Sequence, residues 1–259
     1  MLYVPIITLV AFSFNTDRRG IVWRGFTFDN YVKAWNNSSL IEAMINSLMI
    51  AFIATLIATV LGAMVALMLW RFRFPFKGAY EAFMGLPIVI PEICMGVALL
   101  LFFNETGMMT AVVAMPWPLN LSNIIIAHVA FCFPFVAIVV RSRLVGFNRQ
   151  LEEASKDLGA IEWQTFWKVV FPLLAPMSAT VAIFAFLASW NDFMMPSLIT
   201  SDPTLQTLPV VQSIFQTQFS NNYNVSFASY LMAMAPAIIV YLFTQRWVME
   251  GVTQGAVKG

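Results

Sequence analysis

Long apolar runs that lack charged residues constrain this chain more than any other feature of its sequence. Residues 46–70 and 121–140 contain no Asp, Glu, Lys or Arg, and an α-helix needs about 20 mainly apolar residues to cross a bilayer. The chain is 60% hydrophobic and 10% charged, whereas soluble domains carry about 25% charged residues. So few charges cannot cover a water-soluble globule, and the sequence therefore predicts an integral membrane protein.

The sequence predicts six apolar spans within a single all-α domain over residues 1–259. Helices are expected because the runs are uniformly apolar and lack the alternation of membrane strands. The first run is shorter than a normal span, so it either thins the local membrane or belongs to a chain that starts upstream. The spans cover residues 1–14, 46–70, 79–103, 121–140, 173–200 and 226–247.

The distribution of Lys and Arg favours one orientation of these spans. With the N-terminus inside, ten of the fourteen Lys and Arg residues lie in inner segments, and the later outer loops 104–120 and 201–225 contain none. Because positive charge collects on the cytoplasmic side, both termini are predicted to be cytoplasmic. The first outer segment contains the other four, and we expect it to fold along the membrane surface. These four are Arg18, Arg19, Arg24 and Lys33.

The longest polar interruption, residues 141–172, predicts two short amphipathic pieces. Leu151, Ala154 and Leu158 recur at helical spacing, opposite a set of charged side chains. Gly159 is expected to end this helix, because glycine tolerates the left-handed conformation. A second piece follows up to Pro172, at the entry to the fifth span. From periodicity alone, a helix that lies among lipid headgroups fits equally well. The charged set is Glu152, Glu153, Lys156 and Asp157.

The same loop carries a family resemblance. Residues 153–172 read EASKDLGAIEWQTFWKVVFP, which resembles the EAA loop of the permeases of binding-protein-dependent ABC importers, the MetI-like family. That pattern is Glu-Ala-Ala, three residues, Gly, nine residues, Ile-x-Leu-Pro. The spacing is kept throughout, while Ser155, Val169 and Phe171 replace the Ala, Ile and Leu of the pattern.

The resemblance implies that this loop is a coupling helix seated in a groove of a separate ATPase subunit. Ala154 and Leu158 would press on the apolar floor of the groove. The acidic residues Glu152, Glu153 and Asp157 would pair with basic groups at its rim. The full set of predicted coupling residues is Glu152, Glu153, Ala154, Ser155, Asp157, Leu158, Gly159 and Pro172.

The resemblance also implies a set of partners in a bacterial-type inner membrane. These are two ATPase subunits, a second permease, an extracytoplasmic solute-binding protein and membrane lipid. The second permease is either a copy of this chain or a similar chain, and the mixed resemblance favours a heterodimer. The sequence has no Gly-x-x-x-x-Gly-Lys-Ser/Thr loop, so ATP and Mg²⁺ are expected on the partner ATPases and no cofactor on this chain. Cys94 and Cys132 lie in apolar runs without a ligand cluster, so no metal site is predicted. A net charge of +1 gives no reason to expect nucleic acid.

Polar residues inside the apolar spans are candidates for the translocation path, because ionisable groups at membrane depth are costly. Glu92 follows Pro91, and Pro87 and Pro91 are expected to break the third span. Structural alternatives stay open: Glu92 could pair with His128 for packing, and Asp192 could cap a broken helix. The candidates are Glu92, His128, Trp190, Asn191 and Asp192.

The solute is predicted with two alternatives. The first part of the chain, including GLPIVIPEICMG in span three, resembles spermidine/putrescine permeases, whereas the last third, including SWNDFMMPSLI and the tail QRWVMEGVTQGAVKG, resembles the second permease of maltose-type importers. The expectation is a small hydrophilic solute, with carbohydrate ahead of polyamine. A stand-alone channel or carrier leaves the loop unexplained. An intramembrane enzyme lacks a nucleophile–base pair, since the chain has one His.

Overall fold

A computed structural model of the chain describes residues 1, 3–17, 22–106, 119–144, 147–218 and 223–256. Most of the predicted outer loop 104–120, together with Arg18 and Arg19, lies outside these residues. The regular elements are helices. They are α1 (Val4–Ser13), α2 (Asp29–Trp35), α3 (Ser38–Arg71), α4 (Lys77–Val89), α5 (Glu92–Glu105), α6 (Leu119–Leu144), α7 (Gln150–Asp157), α8 (Glu162–Thr165), a π-helical turn (Phe166–Val170), α9 (Phe171–Asn191), α10 (Met194–Ile199), a 3₁₀ turn (Pro203–Leu205), α11 (Leu208–Gln218) and α12 (Tyr223–Ala256).

Four helical stretches in the described residues are long and apolar enough to cross a membrane: α3, α6, α12 and the continuous stretch Glu162–Asn191. The pair α4 and α5 makes a fifth if it counts as one span. The six predicted spans are thus not all found as full-length helices. The first apolar run forms the ten-residue helix α1, which is only about 15 Å long, half of the roughly 30 Å hydrocarbon core.

The third predicted span is broken, as the two prolines suggested. The axes of α4 and α5 differ by 108°, and Ile90 between them is extended, with φ −69° and ψ 131°. A residue before proline is pushed into this region, and Pro91 has no N–H to continue α4. Helical hydrogen bonding resumes in α5, where Cys94 N–H donates to Pro91 O at 2.9 Å. Pro87, in contrast, lies inside α4.

The helices divide into two compact units, which we describe separately. The first unit comprises Met1–Ile50, Gly96–Ile124 and Trp190–Ile239. Its N-terminal turn is organised by the fully buried Asn15, whose amide donates to Val22 O at 2.7 Å and accepts from Arg24 N–H at 2.9 Å. The Asn30 amide donates to Asn15 O at 3.0 Å. Asn224 of α12 also donates to Asn15 O, at 2.9 Å. Side-chain amides thus supply hydrogen-bond partners for backbone groups of this turn, which lies outside the helices.

The segment after α10 in the first unit is ordered by hydrogen bonds to α3. The Asn46 amide donates to Thr204 O and Gln206 O at 2.9 and 3.1 Å, and Leu208 N–H donates to Ser47 Oγ at 2.8 Å. Backbone and side-chain hydrogen bonds from Thr204 lower the pKa of Asp202. The described part of the loop 201–225 therefore has a defined conformation.

The second unit comprises Ala51–Met95, Ile125–Ser189 and Val240–Gly259. A buried apolar cluster joins the parts of α3, α6 and α9 that belong to it. Gly62 of α3 lies directly against α6: a Cβ at this position would be 2.6 Å from Val136 Cβ and 2.8 Å from Phe133 O. Such close approach through a small residue is typical of helix pairs in membranes. The cluster consists of Ala66, Val136, Val140, Leu144, Val170, Leu174 and Val181.

We expect Gly62→Leu to separate α3 from α6 and to destabilise the protein by about 1–3 kcal/mol, the usual cost of overpacking. The thermal unfolding midpoint in detergent, followed by size-exclusion chromatography of heated samples, measures the effect. Gly85→Ala is the matched control, because open space surrounds Gly85 in α4. An unchanged midpoint for Gly62→Leu would contradict this packing.

Candidate functional site

The loop that contains the predicted coupling residues begins with α7, and α7 ends where the sequence indicated. Gly159 has φ +86°, a conformation that side chains other than glycine rarely adopt. Gly159 N–H donates to Lys156 O at 2.8 Å and Ala160 N–H donates to Ser155 O at 3.1 Å. These bonds satisfy the last carbonyls of α7 and turn the chain into α8.

The second piece of the loop joins α9 through a π-helical turn. Pro172 is the second residue of α9 and has no N–H, so residue 168 loses its normal helical partner. The backbone widens locally, and Phe171 N–H donates to Phe166 O, five residues back, as in a π-bulge. Pro172 therefore marks the entry to α9, as the sequence predicted, without ending the helical path.

The apolar stripe of α7 faces outward. The exposed fractions are 90% for Leu158 and 48% for Leu151, and Ala154 between them is also exposed. An amphipathic helix normally buries its apolar face. Three apolar side chains at helical spacing on an exposed face are therefore available to another protein or to lipid.

Glu152 is the exception to the predicted arrangement of the acidic residues. The resemblance implies that Glu152 pairs with basic groups at the rim of the ATPase groove, together with Glu153 and Asp157, which are exposed. Glu152 is instead only 8% exposed, and its carboxylate lies 3.6 Å from the Arg71 guanidinium of α3. The reason is the helical spacing: Glu152 and Ser155, three residues apart, share the inner face of α7.

Polar contacts attach α7 to the rest of the second unit. Ser155 Oγ lies 3.2 Å from Thr165 Oγ1, and the Lys156 ammonium donates to the Glu162 carboxylate. The Arg71 guanidinium donates to the same carboxylate at 2.6 Å. Arg71 thus contacts both Glu152 in α7 and Glu162 in α8. Sequence reasoning missed this role, since Arg71 was counted only as one of the inner positive charges.

The second amphipathic piece presents aromatic side chains as well as a buried face. Thr165 and Val170 are buried, whereas Trp163 and Trp167 are exposed, with ring centroids 5.4 Å apart. Ile161, just before α8, is 63% exposed. Exposed tryptophans are typical of a membrane interface, so the headgroup interpretation of the sequence fits this piece better than it fits α7.

The predicted path residues occupy different environments. In the second unit, Glu92 is exposed at the start of α5, beside the bend, while His128 in α6 is 3% exposed. In the first unit, Trp190 is 3% exposed, Asn191 is exposed and Asp192 is half-buried. Glu92 and Asn191 are therefore the most accessible of the five.

Asp192 caps a helix. Its Oδ1 accepts hydrogen bonds from Met194 N–H at 2.8 Å and from Met195 N–H at 3.4 Å, the first free donors of α10. The fifth predicted span, residues 173–200, is therefore two helices with a capped break between α9 and α10. The capping alternative of the sequence analysis accounts for this geometry, and it leaves one carboxylate oxygen for other contacts.

The family model for the inner membrane component of binding-protein-dependent transport systems matches residues 58–254. The chain belongs to this family. The match covers the loop between α6 and α9 as well as most of the candidate spans. It makes the chain a transport subunit rather than an enzyme, and it supports an importer permease over a stand-alone channel.

Relatives of this family member extend over nearly the whole chain. The spermidine/putrescine transport system permease protein PotC of Haemophilus influenzae is 35% identical over 92% of this chain and 89% of its own length. The putrescine permease protein PotI of Escherichia coli K12 is 33% identical over 81% of this chain and 74% of its own. The diacetylchitobiose permease protein NgcG of Streptomyces coelicolor is 27% identical over 91% of this chain and 75% of its own.

Solved structures confirm the predicted fold class. A chain of a bacterial ABC transporter that imports the acidic polysaccharide alginate aligns with a TM-score of 0.75 at 18% identity, over 95% of this chain and 90% of that one. A chain of the MetNI methionine ABC transporter aligns with a TM-score of 0.61 at 19% identity, over 82% and 95%. The helical arrangement is therefore that of ABC importer permeases.

We expect Asp192→Ala to destabilise the protein by about 1 kcal/mol, the usual cost of a lost N-cap. Asp192→Asn should keep the thermal midpoint within error, because an amide oxygen accepts the same backbone hydrogen bonds. Both variants are compared by thermal unfolding in detergent. Equal destabilisation by Asn and Ala would show that the negative charge, and not the cap, stabilises this break.

Proposed function

We propose that the chain is one permease subunit of an ATP-driven importer for polyamines such as spermidine and putrescine. The observation that carries the proposal is the similarity to PotC of Haemophilus influenzae, at 35% identity over 92% of the chain. PotI, 33% identical, is also named for polyamine transport. This reverses the order given by the sequence analysis, which placed carbohydrate first on the strength of the last third. The sugar permease NgcG is less similar, at 27% identity.

The chemistry of the candidate path residues agrees with a cationic solute. Polyamines carry ammonium groups, which carboxylates bind by charge-assisted hydrogen bonds. Glu92 is exposed at the start of α5, next to backbone that the bend has freed from helical pairing, and such backbone is tolerated only beside protein or water. Asp192, whose Oδ1 caps α10, is a second carboxylate beside a break in a span. His128, Trp190 and Asn191 stay candidates for the same path.

The exposed stripe of α7 supports docking to a separate ATPase subunit. Leu151, Ala154 and Leu158 would enter an apolar groove, and the exposed Glu153 and Asp157 would pair with basic groups beside it. A helix that lies on the cytoplasmic side would then transmit the closure of two ATPase subunits, which bind ATP and Mg²⁺. One such helix offers one docking site, so a second permease, different from this one, would provide the other.

The remaining parts of the assembly follow from the same proposal. An extracytoplasmic binding protein would deliver the solute to the outer side, where the ordered part of loop 201–225 is held by Asn46 and Ser47. Both termini would lie in the cytoplasm, which the distribution of Lys and Arg favours. Lipid would cover the outward apolar faces of the spans.

We expect Leu158→Asp to abolish binding of the ATPase subunit to the permease. A carboxylate in an apolar groove is removed from water and finds no hydrogen-bond donor or counter-ion there, which costs free energy. The measurement is co-purification of the ATPase with the affinity-tagged permease in detergent. The matched control is Val32→Asp, an equally polar change at an exposed valine of the predicted outer segment. Normal retention with Leu158→Asp would rule out α7 as the docking helix.

We expect proteoliposomes that contain the complete transporter and its binding protein to take up labelled spermidine upon addition of ATP. Glu92→Gln should raise the half-saturating concentration roughly tenfold, the effect of losing about 1.5 kcal/mol from a hydrogen bond to a charged group. Asp192→Asn tests the charge of the capping residue while keeping the cap. Glu105→Gln, at the exposed end of α5, is the control. Uptake of maltose but not spermidine would establish the carbohydrate alternative.

A further inference from the structure

The attachment of α7 differs from that of the long helices. Leu151 and Ala154, its apolar side chains, are exposed, so α7 is held by the polar side chains of its inner face. In α3, α6 and α9, by contrast, apolar side chains meet in the buried cluster of the second unit. The position of α7 relative to the spans therefore depends on a small number of ion pairs and hydrogen bonds.

Arg71 is the centre of these contacts. It is the last residue of α3, and its guanidinium reaches Glu152 at 3.6 Å and Glu162 at 2.6 Å. The Glu152 side chain is 10% exposed and that of Arg71 is 38% exposed, so this pair is shielded from water more than a typical surface pair. The planar guanidinium can hold two carboxylates in a fixed geometry, which a lysine ammonium does with less precision. One side chain thus connects α3 to both α7 and α8.

Arg149, next to the start of α7, reinforces the connection to the same end of α3. Its guanidinium lies 4.7 Å from the centroid of the Trp70 ring and donates to Trp70 O at 3.3 Å. A cation at the carboxyl end of a helix is stabilised by the free carbonyls there. The residues that enter and form α7 therefore contact the last turn of α3 twice, through Arg149 and through Arg71.

Apolar packing between the loop and α3 involves residues on either side of α7: the Phe147 and Trp70 rings lie 5.5 Å apart, and Val170 shares a buried cluster with Ala66. An open cavity of about 420 Å³ lies between α3 and the loop, with Met64 and Leu67 of α3 on one side and Trp163 and Phe166 on the other. Arg71, Glu152 and Glu162 also line it. Because the apolar side chains of α7 itself are exposed, α7 contacts the end of α3 through the Arg71–Glu152 ion pair, in addition to the apolar packing of the residues on either side of it.

We propose that Arg71 is a positioning residue that carries the displacement of α7 into α3, so that α3 moves with the loop although it does not flank the loop in sequence. The inference rests on the proposed docking of the ATPase on α7. In this arrangement, closure of the ATPase subunits displaces α6 and α9, which the loop joins. It also displaces α3, because Arg71 pairs with Glu152 and Glu162. Breaking the pairs leaves α7 able to bind the ATPase but releases α3 from its motion.

The test follows the two helices separately in the complete transporter, in a Cys94→Ser, Cys132→Ala background. A nitroxide label is placed either at position 150, the exposed start of α7, or at position 73, just after α3. Electron paramagnetic resonance spectra are recorded without nucleotide and after trapping with ATP and vanadate, so that no assumption about the solute enters. We expect both labels to respond when Arg71 is present. With Arg71→Gln, the label at 150 should still respond and the response at 73 should fall roughly fivefold or more.

Variants of the residues that pair with Arg71, and a control variant elsewhere in the loop, test the same contacts independently. Glu152→Gln combined with Glu162→Gln, two nearly isosteric changes, should reproduce the effect of Arg71→Gln if the arginine variant folds poorly, because Arg71 pairs with both carboxylates. Adding Arg71→Gln to these two changes should not reduce the response further, since the three residues act together. Lys168→Gln, which removes an exposed charge from the π-helical turn, should leave both responses unchanged. A silent label at 150 in the unsubstituted protein would refute docking on α7. A response at 73 that survives Arg71→Gln and the combined Glu152→Gln, Glu162→Gln change, while 150 responds, would refute the role of Arg71 alone.

Discussion

The free energy required to leave a backbone N–H or C=O unpaired in an apolar environment determines where this chain can bend. The long spans meet this constraint as helices, and each interruption shows how the exposed groups are satisfied. At Ile90 the chain is extended before Pro91 and α5 restarts on the carbonyl of Pro91. After Asn191 the carboxylate of Asp192 accepts the first free donors of α10. Before Pro172 the helix widens into a π-turn rather than breaking. The same constraint thus places the candidate path residues Glu92 and Asp192 beside breaks in the helices.

The α7 helix differs from the long spans in the face that it buries: some of its polar side chains face the protein, and its apolar side chains face outward. A helix buried through its apolar face would be fixed by packing and would offer a partner little apolar surface. With Glu152 and Ser155 on the inner face and Leu158 90% exposed, α7 keeps an apolar surface for a second protein. Arg71 connects α7 to α3 through Glu152. Such an attachment suits the role proposed for α7, which is to bind an ATPase subunit and transmit its movement.

Family membership and solute choice depend on different parts of the molecule. The loop, the helical framework and the match over residues 58–254 all describe the shared machinery of importers, which is compatible with polyamines, sugars or amino acids. Discrimination among solutes requires a few side chains on the path, for which Glu92 and Asp192 are candidates, and Asp192 also caps α10. The last third of the chain resembled carbohydrate permeases locally, whereas similarity summed over the whole chain favours polyamine permeases. A short motif therefore predicts the shared architecture of a transporter family more reliably than it predicts the solute.

The sequence by itself determined the membrane class, the helical fold, the break at Pro91 and the end of α7 at Gly159, because each depends on local chemistry: apolar length, a missing N–H, or a positive φ. The shortness of the first run was also evident from the sequence, and the structure has it as the ten-residue helix Val4–Ser13. Only the tertiary structure decided that Glu152 turns inward to Arg71, 81 positions earlier in the chain, and that Asp192 serves as a cap. Periodicity assigns a residue to a face of its own helix, but which face is buried depends on the neighbours that folding brings to it. Long-range pairing of charges therefore stays invisible until those neighbours are in place.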